Sequence, residues 1–182
     1  MLYRPHIQFC NQCGAPVQYR VPDDGDTRER AICTACGTIQ YENPLTVVGT
    51  VPVLGDQVLL CQRNIEPRKY KWTLPAGFME LGETVAEGAA RETVEEAGAQ
   101  FTLGALFTVM SVPLVGQVHI YHLARLHNDR FDPGHETIEA RLFDEQDIPW
   151  EALAFRTVRH TLECFFADRR AGHFGVHTAD MR

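Results

Sequence analysis

GFMELGETVAEGAARETVEEAGA, residues 77–99, is the stretch that decides the fold of this chain. Within it Thr84 stands three residues before Glu87, a capping box in which both side chains satisfy free backbone N–H groups at a helix start. Good helix formers continue to Gly98, and a glycine there is typical of the left-handed residue that ends a helix. The stretch therefore predicts a loop from Gly77 followed by a helix between Thr84 and Gly98.

The predicted helix carries three glutamates, Glu92, Glu95 and Glu96, at spacings of three and four residues that bring them to one face. Carboxylates this close repel one another and destabilise a bare helix, whereas a hard divalent cation such as Mg²⁺ or Mn²⁺ binds such oxygen ligands. An acidic helix face is also common as plain solvated surface. On its own, the acidic face leaves both interpretations open.

The whole stretch resembles the Nudix box, which reads glycine, five residues, glutamate, seven residues, and then Arg-Glu-x-x-Glu-Glu-x-Gly. The resemblance implies an α/β fold, the Nudix α/β/α sandwich, and a site that cleaves diphosphates with Mg²⁺ or Mn²⁺. Every fixed position of the box is filled here, by Gly77, Glu83, Arg91, Glu92, Glu95, Glu96 and Gly98.

The resemblance also implies a role for each side chain of the box. The three glutamates of the acidic face are expected to bind magnesium, with Glu96 as the central ligand. Glu83 is expected to pair with Arg91 and so to orient the helix behind the ligands. Gly77, which has no side chain, allows the backbone to approach the metal or the phosphate closely.

A general base is expected outside the box, because relatives use a glutamate on a later loop or strand as base or further metal ligand. Glu136 and Glu139 are the candidates in the stretch HETIEARLF. Glu139 resembles the ligand position and Glu136 the base on the loop. Either residue is equally compatible with an ordinary solvated carboxylate.

Four of the six cysteines form two C-x-x-C pairs, CNQCG and CTACG, separated by nineteen residues. This spacing is typical of a tetrahedral zinc site, and the glycine after each pair allows a tight turn around the sulfur atoms. A redox motif needs only one pair, and two disulfides suit an exported chain. The sequence therefore predicts a structural Zn²⁺ ion bound by Cys10, Cys13, Cys33 and Cys36.

Asn43-Pro44 marks the boundary between two predicted domains. Residues 1–44 form the zinc ribbon, with a short hairpin in its turn-rich middle. The Nudix domain, 45–182, is predicted to hold strands that begin at Thr46 and Gln57, a short strand at 72–77, further strands at 101–110, 117–126 and 138–143, and a last helix at 155–170. The last dozen residues show no pattern.

Three further stretches, YENPLTVVG, RNIEPRKYKWTLPAG and ETIEARLF, resemble those of a plant plastid Nudix enzyme that hydrolyses FAD and ADP-ribose. The NADH pyrophosphatases share the order of ribbon and Nudix domain, but their SQPWPFPxS-like motif is absent here. Pro113 stands where ADP-ribose hydrolases carry a proline, or it is a plain strand-end proline. The resemblance implies conversion of FAD to FMN and AMP, or of ADP-ribose to AMP and ribose 5-phosphate. The sequence assigns no aromatic residue to the adenine.

Basic residues crowd the loop before Trp72. Their charge is expected to attract the substrate phosphates, with Arg63 and Arg68 as substrate-binding residues. The same residues are also compatible with a plain basic surface.

Composition limits the other function classes. The net charge is −7, and residues 1–44 hold four arginines against five acidic residues, so no nucleic-acid partner is expected. No run of about 18 apolar residues suggests a membrane span, and the start carries no export signal, which predicts a cytoplasmic protein. A homodimer, with the ribbon in its interface, is compatible with the sequence. The alternatives are an NADH pyrophosphatase, an enzyme that removes oxidised nucleoside triphosphates, and a non-catalytic module that binds nucleic acid or senses nucleotides.

Overall fold

The structure is a computed structural model, and it describes residues 7–182. The chain divides into two compact units, Met1–Pro44 and Leu45–Arg182. Each unit has its own sheet. Within the described residues, no helix is long and apolar enough to cross a membrane.

The first unit contains a three-stranded antiparallel sheet formed by β1 (Val17–Arg20), β2 (Arg30–Cys33) and β3 (Ile39–Gln40). The turn-rich middle predicted as a hairpin joins β1 to β2. Gly14 and Gly37 both have positive φ, 73° and 75°. Each donates its N–H to the carbonyl of the cysteine four residues before it, so both predicted turns after the C-x-x-C pairs are present.

The second unit is built on one mixed sheet with the order β10-β5-β4-β9-β8-β11. The strand β6 pairs with β5, and β7 pairs with β4. The pairs β4–β9 and β8–β11 are parallel, and the other pairs are antiparallel. The strands are β4 (Leu45–Leu54), β5 (Gln57–Arg63), β6 (Trp72–Thr73), β7 (Ala76–Phe78), β8 (Phe101–Val112), β9 (Gln117–Leu126), β10 (Thr137–Phe143) and β11 (His177–Asp180).

Helices α1 (Val85–Ala97) and α2 (Arg156–Ala171) cover the two faces of this sheet. Alternate residues of a strand point to opposite faces. Accordingly Leu59 of β5 packs in a cluster with Ala97 of α1, whereas Leu60 packs with Leu162 of α2. The predicted α/β/α sandwich is confirmed.

The sheet opens between β4 and β5, and this opening positions the site. The two strands pair only near their turn, at Val53 with Val58 and at Leu54 with Gln57. Beyond that point β5 pairs with β6 and β4 pairs with β7, so the segment 72–78 runs between the diverging strands. This insertion brings Gly77 under α1.

The predicted ends of α1 are confirmed. Thr84 Oγ1 accepts the N–H of Glu87 at 3.2 Å, and the Glu87 carboxylate accepts the N–H of Thr84 at 2.8 Å. Gly98 is left-handed, with a φ of 59°. A side chain at Gly98 would also collide with the backbone of Asp132, so packing as well as turn geometry requires glycine there.

Helix α2 agrees with the prediction, since Val158, Leu162 and Phe166 are buried along one stripe. Pro113 opens a 3₁₀ turn between β8 and β9, a position compatible with both interpretations of this proline. The remaining 3₁₀ turns lie at Glu145–Asp147 and Trp150–Ala152. The sequence does not predict strand β11, because its four residues contain no large apolar side chain. It forms only where β8 offers a free edge.

Candidate active site on helix α1

Helix α1 holds two glutamates against the inserted segment 72–78. The carboxylate of Glu92 occupies the space over Gly77, where any Cβ would overlap its oxygens. The carboxylate of Glu96 accepts the backbone N–H of Ala76 at 3.0 Å. The glycine of the box is therefore required here because it leaves room for a carboxylate one helical turn from a second one.

Glu96 is an acidic side chain in an interior position, only 7% exposed. Its pKa is raised from 4.5 to about 8, mainly by burial and in part by the nearby carboxylates of Glu92 and Glu136. The Ala76 N–H and the positive charge of Arg63 only partly offset these effects. Glu96 thus needs an additional positive charge to be ionised at neutral pH.

Glu92 shows the same conflict to a smaller degree. Burial raises its pKa, Arg91 lowers it, and the charges of Glu95 and Glu136 raise it. The pKa values of both carboxylates are raised, and the charge of Glu92 contributes to the raised pKa of Glu96. Two such carboxylates form the kind of donor set that a divalent cation stabilises.

Arg91 is the hub of the surrounding ion pairs. Its guanidinium donates two hydrogen bonds to Glu83, at 2.9 and 3.1 Å, and one to the carbonyl of Phe78 at 3.1 Å. The predicted pair of Glu83 with Arg91 is therefore present in bidentate form, and it lowers the pKa of Glu83. The pair ties α1 to the loop that precedes it.

Arg91 also binds Glu92 at 2.7 Å and Glu95 at 3.1 Å. As a result the three predicted magnesium ligands do not converge on one point. Within residues 7–182, no group of three or more acidic residues brings its oxygen atoms within 4.8 Å of one another. Glu95 is exposed, and one of its carboxylate oxygens is held by Arg91.

The two candidates for the base lie in different surroundings. The carboxylate of Glu136 raises the pKa of both Glu92 and Glu96, and its backbone carbonyl accepts the N–H of Asn64 at 2.8 Å. Glu139 lies on β10 opposite Gln62, with its carboxylate 3.6 Å from Arg141. The structure therefore brings Glu136 into electrostatic contact with the carboxylates of α1 and pairs Glu139 with an arginine.

The two predicted phosphate-binding arginines also differ. Arg63 is buried at the end of β5, stacks on the Phe155 ring at 5.2 Å and donates to the carbonyl of Pro67 at 3.0 Å. Arg68 is exposed in the loop that follows. The site also uses a residue that the sequence did not indicate, Ala76, since a backbone N–H leaves no signal in side-chain patterns.

The four cysteines of the first unit converge closely. Their sulfur atoms all lie within 4.8 Å of one another. Backbone N–H groups point at the sulfurs of Cys10 and Cys33, at 3.4 Å. Hydrogen bonds with Thr38, and next with Cys33 and Cys13, lower the pKa of Cys36 to about 6. Four thiols at this distance, with donors that favour the thiolate, fit a tetrahedral structural zinc ion.

Comparison with known proteins agrees with this geometry. A zinc-ribbon family described as Nudix N-terminal matches residues 8–42, and the NUDIX domain family matches residues 44–162. A crystal structure of a NUDIX hydrolase from Nitrosomonas europaea is 46% identical with a TM-score of 0.92, covering 96% of this chain and 99% of that one. An ADP-ribose pyrophosphatase from Streptococcus suis 89-1591 shares only the fold, at 20% identity and a TM-score of 0.59, over 76% of this chain and all of that one.

Two curated relatives are named NAD-capped RNA hydrolase NudC. The protein of Stutzerimonas stutzeri is 29% identical over 165 residues, covering 89% of this chain and 57% of that protein. The protein of Salmonella typhi is 27% identical over 149 residues, covering 81% and 55%. The chain thus spans little more than half the length of these relatives. Since the NUDIX domain match alone covers well over half of the chain, this protein belongs to the Nudix hydrolase family and carries the family's zinc-ribbon N-terminal domain.

Proposed function

We propose that this protein hydrolyses the diphosphate of a nucleoside diphosphate linked to a second moiety, with FAD or ADP-ribose as substrate. The observation that carries the proposal is the pair of partly buried carboxylates, Glu92 and Glu96, packed over Gly77 and Ala76. Such a pair is costly without a cation, and a diphosphate needs cations to neutralise its charge before a water molecule attacks.

Glu92, Glu95 and Glu96 would hold Mg²⁺ or Mn²⁺. When bound, the ion supplies Lewis-acid chemistry and lowers the pKa of a water molecule. The residues present fit such an ion because Glu96 is buried without a direct cationic partner among the described side chains. The positive charge of Arg63 lowers the pKa of Glu96, but that pKa stays above its ordinary value.

The protein's own side chains have two further tasks. Arg91, held by Glu83, keeps α1 in register with the loop at 78–83 and so fixes where the carboxylates point. Glu136 accepts the proton of the attacking water, because its carboxylate lies outside α1 and acts on both Glu92 and Glu96. Glu139, paired with Arg141, is the weaker candidate for this role.

A second substrate class is favoured by the curated relatives, which are named for NAD-capped RNA. NAD, NADH and NAD-capped RNA contain the same kind of diphosphate as FAD and ADP-ribose. The comparison therefore adds NAD-capped RNA as a candidate substrate, although the net charge of −7 predicts no nucleic-acid partner. The homodimer stays a prediction.

A substrate panel tests the proposal. Purified protein with Mg²⁺ is incubated separately with FAD, ADP-ribose, NADH, NAD-capped RNA and an oxidised deoxynucleoside triphosphate, and the products are separated by chromatography. We expect AMP with FMN from FAD, and AMP with ribose 5-phosphate from ADP-ribose. Faster turnover of NADH or capped RNA selects the second class. Inorganic diphosphate from the triphosphate alone, or no product at all, refutes the proposal.

A further inference from the structure

The loop between β5 and β6 has an unusual backbone. Arg68 and Tyr70 both have a φ of 69°, in the left-handed region that bulky side chains rarely adopt. Residues 68–71, Arg-Lys-Tyr-Lys, are called the cationic loop below. Neither left-handed position is filled by glycine or asparagine, the residues that tolerate it at lowest cost.

Hydrogen bonds to β5 hold this conformation. Tyr70 donates its N–H to the carbonyl of Arg63 at 2.8 Å, and Arg63 donates its N–H to the carbonyl of Lys71 at 2.9 Å. The side chain of Gln62 donates to the carbonyl of Tyr70 at 3.1 Å. Strain that the surrounding structure maintains in this way clusters at functional sites.

The cationic loop presents an aromatic ring surrounded by positive charge. The Tyr70 side chain is 64% exposed, and the ammonium of Lys69 lies 5.3 Å from its ring centroid. In the described part of the chain, none of Arg68, Lys69 and Lys71 forms an ion pair, and Glu66 is the acidic residue of the same connection. Unpaired cations stand out in a protein whose net charge is −7.

An electrostatic interaction and two hydrogen bonds connect the strand end that carries the cationic loop to the candidate active site. The backbone of Arg63 forms hydrogen bonds with Tyr70 and Lys71, and its positive charge lowers the pKa of Glu96. The next residue, Asn64, donates its N–H to the carbonyl of Glu136 at 2.8 Å and its side-chain amide to the carbonyl of His135 at 2.9 Å. The strand end that carries the cationic loop is therefore joined by hydrogen bonds to the segment that carries Glu136.

We propose that the cationic loop binds the adenosine half of the substrate, with the adenine stacked on the Tyr70 ring and the loop cations on phosphate oxygens. This inference rests on the proposed function. Adenosine is the half that FAD, ADP-ribose and NAD share, and an exposed ring beside cations matches the flat base and the charged phosphates of a nucleotide. Because Tyr70 is 64% exposed, a base can reach its ring.

The test compares Tyr70→Leu with Tyr70→Phe, which keeps the ring. Tyr41→Leu is the matched control, because Tyr41 is 60% exposed and lies 5.3 Å from the guanidinium of Arg30 but has an ordinary backbone. Stacking of one base changes affinity about 5- to 150-fold. We expect Tyr70→Leu to raise the KM for ADP-ribose at least fivefold with kcat unchanged, and the other two variants to keep the wild-type KM.

A second variant separates binding from folding. Tyr70→Gly relieves the left-handed strain, so its Tm is expected to equal or exceed that of the wild type while the KM rises as in Tyr70→Leu. A ring that only stabilises the fold would instead lower the Tm. An unchanged KM for ADP-ribose in Tyr70→Leu overturns the inference, and so does an effect on FAD alone, which would place the flavin on the ring.

Calorimetry with AMP provides a readout that does not depend on turnover. If the wild type hydrolyses none of the nucleotides, the proposed function fails, but AMP binding still tests the cationic loop. Weaker AMP binding by Tyr70→Leu than by Tyr41→Leu supports the loop as a nucleotide site. Equal AMP binding by wild type and Tyr70→Leu overturns it.

Discussion

Replacing Glu96 with glutamine removes a carboxylate that is buried and whose ionised form is disfavoured by that burial. Burial raises the pKa of Glu96 from 4.5 to about 8. Between these two pH values the folded protein holds a proton that the unfolded chain has lost, so stability falls as pH rises. The loss is at most about 1.4 kcal/mol per pH unit, and its full extent is at most about 5 kcal/mol above pH 8.

Glutamine has nearly the same shape as glutamate and stays neutral at every pH. Its side-chain oxygen still accepts the N–H of Ala76 that Glu96 accepts at 3.0 Å. Without added Mg²⁺, Glu96→Gln should therefore match the wild type only near pH 4, be about 1 kcal/mol more stable near pH 5.5, and exceed its stability by about 2–5 kcal/mol at pH 8.5. Added Mg²⁺ should stabilise only the wild type, and the variant should have no diphosphatase activity.

Urea unfolding followed by tryptophan emission measures this directly. The chain has two tryptophans, Trp72 and Trp150, and both lie in the unit Leu45–Arg182. The signal therefore reports that unit alone. Buffers without added Mg²⁺ and without strong chelators leave the ribbon's zinc in place. Parallel stability profiles of wild type and variant between pH 5.5 and 8.5 would refute the electrostatic reasoning, and retained activity would refute the assigned centre.

Three further changes test other parts of the site. Glu136→Gln should lower kcat about 10²–10⁴-fold, as expected for a general base, while Glu139→Gln changes it little; the reverse order would move the base to β10. Gly77→Ala places a methyl group on the carboxylate of Glu92 and should lower both kcat and the Tm, and an unchanged kcat would mean that this carboxylate is not used. Cys33→Ser should reduce bound zinc, measured by atomic absorption, and expose residues 20–30 to protease while the tryptophan unfolding curve stays the same; equal protection of this loop would contradict the zinc assignment.

Local interactions made some features predictable from the sequence. The capping box of Thr84 and Glu87 and the left-handed Gly98 depend on contacts within a few residues, and all are present. The two cysteine pairs are similar, because each turn is closed by a glycine four residues after the first cysteine. Such features need no knowledge of distant parts of the chain.

Other features depend on how distant segments meet. The four residues of β11 carry no apolar pattern, and they pair only because β8 leaves an edge free. The left-handed conformation of Tyr70 follows from hydrogen bonds to β5. Propensity disfavours that conformation for tyrosine, so no local pattern indicates it.

By itself the sequence determined that a capped helix carries three glutamates on one face, and that two cysteine pairs belong to one metal site. Only the tertiary structure decided which of those glutamates is buried. Because β4 and β5 diverge, the segment 72–78 enters between them and places Ala76 and Gly77 under Glu96 and Glu92. Burial changes the pKa of a glutamate strongly. Here it arises from the pairing of distant strands, which no short stretch of sequence predicts.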